Sequence, residues 1–196
     1  MGTRGSVGIL LDGKFKGMYN HSDSYPGGLG DEVVSFIKEV NKTKTGWAKL
    51  KKNFRKVEEI KNNQKPTAEQ IEAYKGYADL SVSNQTYEDW YCLLRNIQGV
   101  PSLTEILKGK LKHGFFANDF IKDSLFCEYA YVINLDDNTV EFYKGFQTSP
   151  QEGNRFGTEP NKTDGEYYPC AMVGKCPLNK IPKNWAEKFY KEDEEE

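Results

Sequence analysis

No run in this chain approaches the roughly 18 consecutive apolar residues that a membrane span needs, and the opening Met-Gly-Thr-Arg-Gly-Ser is not followed by the apolar core and cleavage site of a secretory signal. A cytoplasmic protein that stays off the membrane is expected. An excess of charge of either sign is missing too. The 27 Lys and Arg face 29 Asp and Glu, a formal net charge of -2, so no global field draws the chain to nucleic acid or to an anionic surface. Cysteine and histidine are scarce. Cys92, Cys127, Cys170 and Cys176 lack the C-x-x-C spacing that lets two thiolates reach one zinc, and His21 and His113 lie far apart. No metal site is expected, and the thiols read as free and buried in a reducing compartment. Gly27, Gly28 and Gly30 fit neither G-x-G-x-x-G nor the P-loop, so nucleotide binding has no support and no cofactor is expected.

What the chain does hold is aromatic residues, 13% of its 196, enough large rings for one good core in a domain of this length. Ser6 to Leu11 is an apolar run, Asp12-Gly13 is a turn that tolerates positive φ, and Lys14 to Tyr19 alternates, which together predict a β-hairpin. Asn20 to Gly30 is loop chemistry, with Pro26 and three glycines. Asp31 is placed to cap a helix carrying Val33, Phe36, Ile37 and Val40, and Trp47, Leu50, Phe54 and Val57 continue the spacing beyond Gly46. Thr67 with Gln70 forms a capping box before Ile71, Tyr74 and Ala78. Thr86 is read as the cap of a helix with Tyr87, Tyr91, Leu94 and Ile97, and Ser102 with Glu105 as the opening of another that ends near His113.

After Phe115-Phe116 the period changes. Cys127 to Asn134 alternates, Asp136-Asp137-Asn138 turns, and Thr139 to Phe146 returns as the partner strand. Gln147 to Gly165 is a long polar loop, either mobile or a lid. Tyr167 to Val173 reads as a strand, Pro182 opens a closing helix with Trp185, Phe189 and Tyr190, and Glu192 to Glu196 is an acidic tail. No linker divides the chain. Strands at both ends and helices between predict a single α+β domain over residues 1–196, layered, with terminal hairpins meeting in a mainly antiparallel sheet.

The N-terminal segment from Met1 to Gly30 is where a site is expected. Tyr19 to Tyr25 packs titratable side chains at a strand end, and His21, with Asp23 two residues on, has the makings of an oriented acid or base if the segment is extended. A loop that satisfies its own backbone is the plain alternative. A second candidate surface is cationic: Lys42, Lys44, Lys49, Lys51, Lys52, Arg55, Lys56, Lys61 and Lys65 lie across the helix 42–65. Glu58 and Glu59 interrupt them, as on a solvated face.

Two likenesses bear on this. MGTRG, then YNHSDSYPGGLG, and later CEYAYVINLDDNTVEFYKG resemble the signatures of an uncharacterised family of small proteins met in phages, bacteria and fungi, a likeness that implies no activity. The order of Thr3, an apolar strand, Asp12-Gly13, a second strand and then His21-Ser22-Asp23-Ser24-Tyr25-Pro26 is similar to the start of N-terminal nucleophile hydrolases of the bile-salt hydrolase and acid-ceramidase kind. Those enzymes use a free α-amino group as base for the adjacent nucleophile. The resemblance would make Thr3 the nucleophile once Met1 and Gly2 are removed, with Asp23, and Lys14 or Arg4, tuning the amine. The sequence departs from that pattern at Gly2, which stands where the hydrolases have cysteine.

Three functions follow as expectations. The first is a non-catalytic binding protein on such a scaffold, a phage-type factor acting on a host protein or a small signal molecule through Arg4, Asn20, His21, Asp23, Ser24 and Tyr25. The second is an amide hydrolase using Thr3, His21 and Asp23. The third, which the acidic balance disfavours, is a nucleic-acid binder using the basic helix with an exposed Trp47 or Phe54. Asp23 is expected to matter most, so that Asp23→Asn abolishes function without unfolding the chain.

Overall fold

In the computed structural model, which describes residues 2–61, 63–161 and 166–190, Asp12 and Gly13 both take left-handed backbone angles, φ 54° and 69°. That is the pair a two-residue type I′ turn requires. It joins β1 (Gly5–Leu11) to β2 (Lys14–Asn20) in antiparallel register, from Gly5 opposite Asn20 to Leu11 opposite Lys14. The Asp136 carboxylate accepts the N–H groups of Asp12 and Gly13 at 2.8 and 2.9 Å, and Arg55 grips the Asp12 carboxylate with two hydrogen bonds.

The helical middle follows. α1 (Asp31–Asn41) buries Val33, Phe36, Ile37 and Val40, the stripe that its spacing dictates. Asp31 is its first helical residue rather than its cap, since Pro26–Gly30 already forms a wide helical turn that leads straight in. α2 (Gly46–Phe54) buries Leu50 and Phe54, and Val57 is buried just beyond it, before the short β3 (Glu58–Glu59). α3 (Ala68–Tyr74) carries the expected capping box, with Gln70 N–H on Thr67 Oγ1 and Thr67 N–H on Gln70 Oε1.

Beyond α3, three expectations are corrected. Thr86 only holds a turn through the Glu88 N–H; α4 (Trp90–Leu93) is one turn long and is capped by Asp89, whose carboxylate accepts the Tyr91 N–H at 2.8 Å. α5 (Val100–Lys108) starts ahead of Ser102, with Pro101 in its first turn, where the missing N–H has no cost. Ser102 is buried within it and donates to the Ile97 carbonyl. Gly109, left-handed at φ 78°, ends α5, and His113 sits farther on in β4 (His113–Gly114), paired in parallel with β3.

The second hairpin is β5 (Tyr129–Asn134) with β6 (Thr139–Lys144). β7 (Ala171–Pro177) pairs antiparallel with β6 and starts later than Tyr167, because Pro169 has no N–H and Tyr168 gives its own to the Gln147 carbonyl. β1 runs parallel to β5, so the five-stranded sheet has the order β2-β1-β5-β6-β7, one parallel pair among antiparallel ones. The class is α+β, as expected. Val7, Ile9, Tyr131, Ile133 and Phe142 pack with the helices on one face, and α6 (Trp185–Phe189) stacks Trp185 and Phe189 on Phe142, each at 5.0 Å.

Leu10, Ala130, Val132 and Tyr143 form the opposite cluster, covered by Phe156 from the long loop. Arg155 pins that loop by a two-pronged pair, 2.8 and 2.9 Å, to the buried Glu141, which also accepts from Asn134 and the Tyr143 hydroxyl. The loop is therefore tied down over its described part; residues 162–165 and the acidic tail 192–196 lie outside the described residues. All four cysteines are free and buried. Among the described residues no helix is long and apolar enough to cross a membrane.

Candidate functional site

The polar loop after β2 is largely occupied with itself. Asn20 donates to the Ser22 carbonyl and, at 2.9 Å, to Ser24 Oγ. Ser24 is fully buried: its N–H donates to the Thr3 carbonyl at 3.1 Å and its carbonyl accepts the Tyr131 hydroxyl at 3.0 Å. Asp23 is exposed and left-handed, φ 55°, and its carbonyl accepts the Leu29 N–H at 2.8 Å. Tyr25 is exposed. The structure thus brings Thr3, Asn20 and Ser24 together, but through groups that hold the loop on β1.

His21 pairs in the other direction from that expected. Its Nδ1 is hydrogen-bonded to the Tyr19 hydroxyl at 3.0 Å: Tyr19 stands near the end of β2 and His21 directly follows that strand, whereas the chain bends at Ser22 before it reaches Asp23. Lys14 cannot tune an amine at Thr3. It lies at the hairpin end, opposite Leu11, about 20 Å along β1 from Gly5. Arg4 lies with its guanidinium 4.7 Å over the Phe126 ring, and its N–H donates to Glu128.

An aromatic-walled concavity lies next to this loop and not in it. A cavity of about 220 Å³ opens where the outer edge of β2 meets the helical middle. Met18 and Tyr19 contribute from β2, Trp90, Tyr91 and Leu94 from α4 and its end, Ser102 and Ile106 from α5, and Phe115, Phe116 and Ala117 from the segment that covers the strand edge. Two bonds hold that cover: Ala117 N–H to the Gly17 carbonyl, 2.8 Å, and Gly17 N–H to Asn118 Oδ1, 2.9 Å. Of the segment where a site is expected, Met18 and Tyr19 line this cavity and residues 20–30 do not. A larger but more open groove of about 590 Å³ runs between α1 and α5, and two of the glutamates on its rim, Glu39 and Glu105, are already paired with Lys42 and Lys108.

The electrostatics of the cavity are one-sided. Burial raises the Tyr19 phenol above its ordinary pKa, the neighbouring Tyr91 adds to this, and the charges of Arg4 and Arg95 pull it back. No acidic side chain lines the walls. Trp90 is only 4% exposed, and its indole N–H, like the Nε–H of Arg95, is buried with no partner among the described residues. Of these wall residues, Tyr91 and Leu94 read in the sequence as part of an ordinary helical core stripe. The signal that could have marked them is adjacency: in Trp90-Tyr91 and Phe115-Phe116 two consecutive large rings cannot share one core face, and Tyr91 and Phe115 are left partly open.

His113 lies behind this wall, its ring between the Tyr74 hydroxyl at 2.8 Å and the Gln70 amide at 3.0 Å. On the basic segment Phe54 is buried, Trp47 is half-buried with its N–H on Asn41, and the lysines are exposed except for the half-buried Lys51. Arg55 and Lys65 are paired with Asp12 and Glu88. Among the described residues no group of three or more His, Cys, Asp or Glu is placed to hold a metal ion. Comparison with known protein families, with curated proteins and with solved structures finds no match.

Proposed function

We propose that the protein is a binding protein whose ligand is a small, mainly apolar molecule held in the cavity between β2, α4, α5 and residues 115–117. The observation that carries this reading is the cavity's build: a mainly apolar, aromatic-walled space with Tyr19, Gln98 and Ser102 as its few polar side chains. Cavities of about 150 Å³ with apolar walls bind benzene, so about 220 Å³ has room for a ring with a short substituent. The reading keeps the scaffold sense of the N-terminal nucleophile likeness without its chemistry. Thr3 serves through its carbonyl, and His21 serves at the rim through Tyr19.

Thermal melts with and without a neutral single-ring probe such as toluene test this. At ten times its Kd the probe adds about 1.4 kcal/mol of stability, a rise of roughly 3–5 °C for a domain of this size. Ala117→Leu, which places a larger side chain in the cavity, is expected to remove the rise without lowering the melting temperature of the free protein by more than a few degrees. An unaltered chain that shows no shift with any single-ring probe rules the reading out.

A further inference from the structure

The sheet has two outer strands, and they are finished differently. On β2 the segment after β4 covers Gly17 with one backbone and one side-chain bond. β7 ends the sheet with no strand beyond it. A side chain stands in that place: the Gln151 amide accepts the Met172 N–H at 2.8 Å and donates to the Met172 carbonyl at 2.9 Å. Those are the two bonds that a residue of an added antiparallel strand exchanges with its partner, so one position of the edge already holds a peptide-like group.

A groove of about 620 Å³ runs along this edge, with α6 as one wall. Two apolar side chains in it are exposed, Phe146 at 52% and Met172 at 36%. Phe146 also holds φ 56°, a left-handed angle that a large aromatic residue rarely adopts. Its N–H on the Ser124 carbonyl and the Gln147 N–H on Ser124 Oγ keep it there. A strained backbone that leaves a ring in solvent gains the free protein nothing, and such strain gathers where a ligand is held. The charge in the groove is of one sign. Lys144 and Lys188 line it, no acidic side chain does, and neither lysine has an ion-pair partner among the described residues. A second copy of this chain fits poorly, because pairing β7 with β7 about a two-fold axis brings two cationic grooves together.

We infer that the outer edge of β7 is a docking site for an extended acidic peptide of a partner protein, which displaces Gln151 to pair with the strand, sets an apolar side chain against Phe146 and Met172, and meets Lys144 and Lys188 with its carboxylates. The site is separate from the cavity and stands or falls without it. Fluorescence anisotropy of the full chain with labelled Glu-Val-Glu-Phe-Glu-Val-Glu at low salt tests it. Two control peptides go beside it: one with lysine for every glutamate, and one N-methylated at alternate residues, which keeps every side chain but cannot form the ladder. The acidic peptide is expected to bind about tenfold tighter than either control. Gln151→Ala, which removes the competing amide, should tighten binding several-fold, and Lys188→Glu should shift the preference toward the lysine peptide. If either variant fails to fold, the three-peptide comparison on the unaltered chain still decides. No binding, equal binding of the N-methylated peptide, or tighter binding of oligothymidylate overturns the inference. So does binding that appears only when Glu194, Glu195 and Glu196 are replaced by glutamine, which would assign the groove to the chain's own acidic end.

Discussion

Gly5 has no room for a side chain. A Cβ there would lie 2.4 Å from the Tyr129 carbonyl oxygen and 2.5 Å from Ser24 Cβ, so the buried Ser24 and the close strand beside it both depend on glycine. Gly5→Ala is expected to destabilise the fold by about 2–4 kcal/mol, read from the midpoint of urea unfolding. Asp23→Asn is expected to shift the same midpoint by less than about 0.5 kcal/mol and to leave ligand affinity unchanged, because asparagine accepts the left-handed backbone equally well and the carboxylate is exposed. A strongly weakened ligand in Asp23→Asn would return the site to the loop. The sequence marks Asn20 to Gly30 as special without saying in which direction. Asn, Ser and Asp bind a ligand and their own backbone with the same atoms, and only the fold shows that Asn20 and Ser24 bond each other.

Among the elements, those with local causes were the legible ones. The Asp12-Gly13 turn, the α1 stripe and the α3 capping box each follow from residues close together in the chain, and each forms as the sequence dictates. α4 was not legible as a short helix, since its cap, Asp89, also gathers Ser83 and Asn84 from a turn that only tertiary packing creates. Contacts across elements also set a pH dependence. Lys108 and the Tyr77 hydroxyl bond the Glu105 carboxylate and hold its pKa below the usual value, while the same bond raises Tyr77 to about 12. A carboxylate with a lowered folded pKa contributes stability that is present above its unfolded pKa and lost as pH falls through the folded one. The destabilisation caused by Glu105→Gln is therefore expected to be largest near neutral pH and to shrink below about pH 4.5, in urea melts taken from pH 7 to pH 3. A penalty that stays constant over that range would show that Glu105 acts by packing alone.

For the molecule as a whole, the fold class was legible and the candidate cavity was not, for one physical reason. Hairpin periodicity reports which strands exist, but nothing local in Gly5 or Tyr129 encodes that β1 runs parallel beside β5, and it is that crossing that carries the helical middle to the outer edge of β2. The cavity lies at this junction, so its walls come from residues 18 to 117 and no single segment contains it. Of the three tryptophans, Trp47 has its indole N–H on Asn41, and Trp90, whose indole N–H has no partner among the described residues, lines the cavity and gives it its own reporter. The indole N–H region of a ¹⁵N-edited NMR spectrum, recorded through a titration with toluene, tests the account most directly. The Trp90 resonance is expected to move and saturate as a ring enters the cavity that its side chain lines, with that of Trp47 unmoved; a Trp90 resonance that stays in place through the whole titration would contradict it.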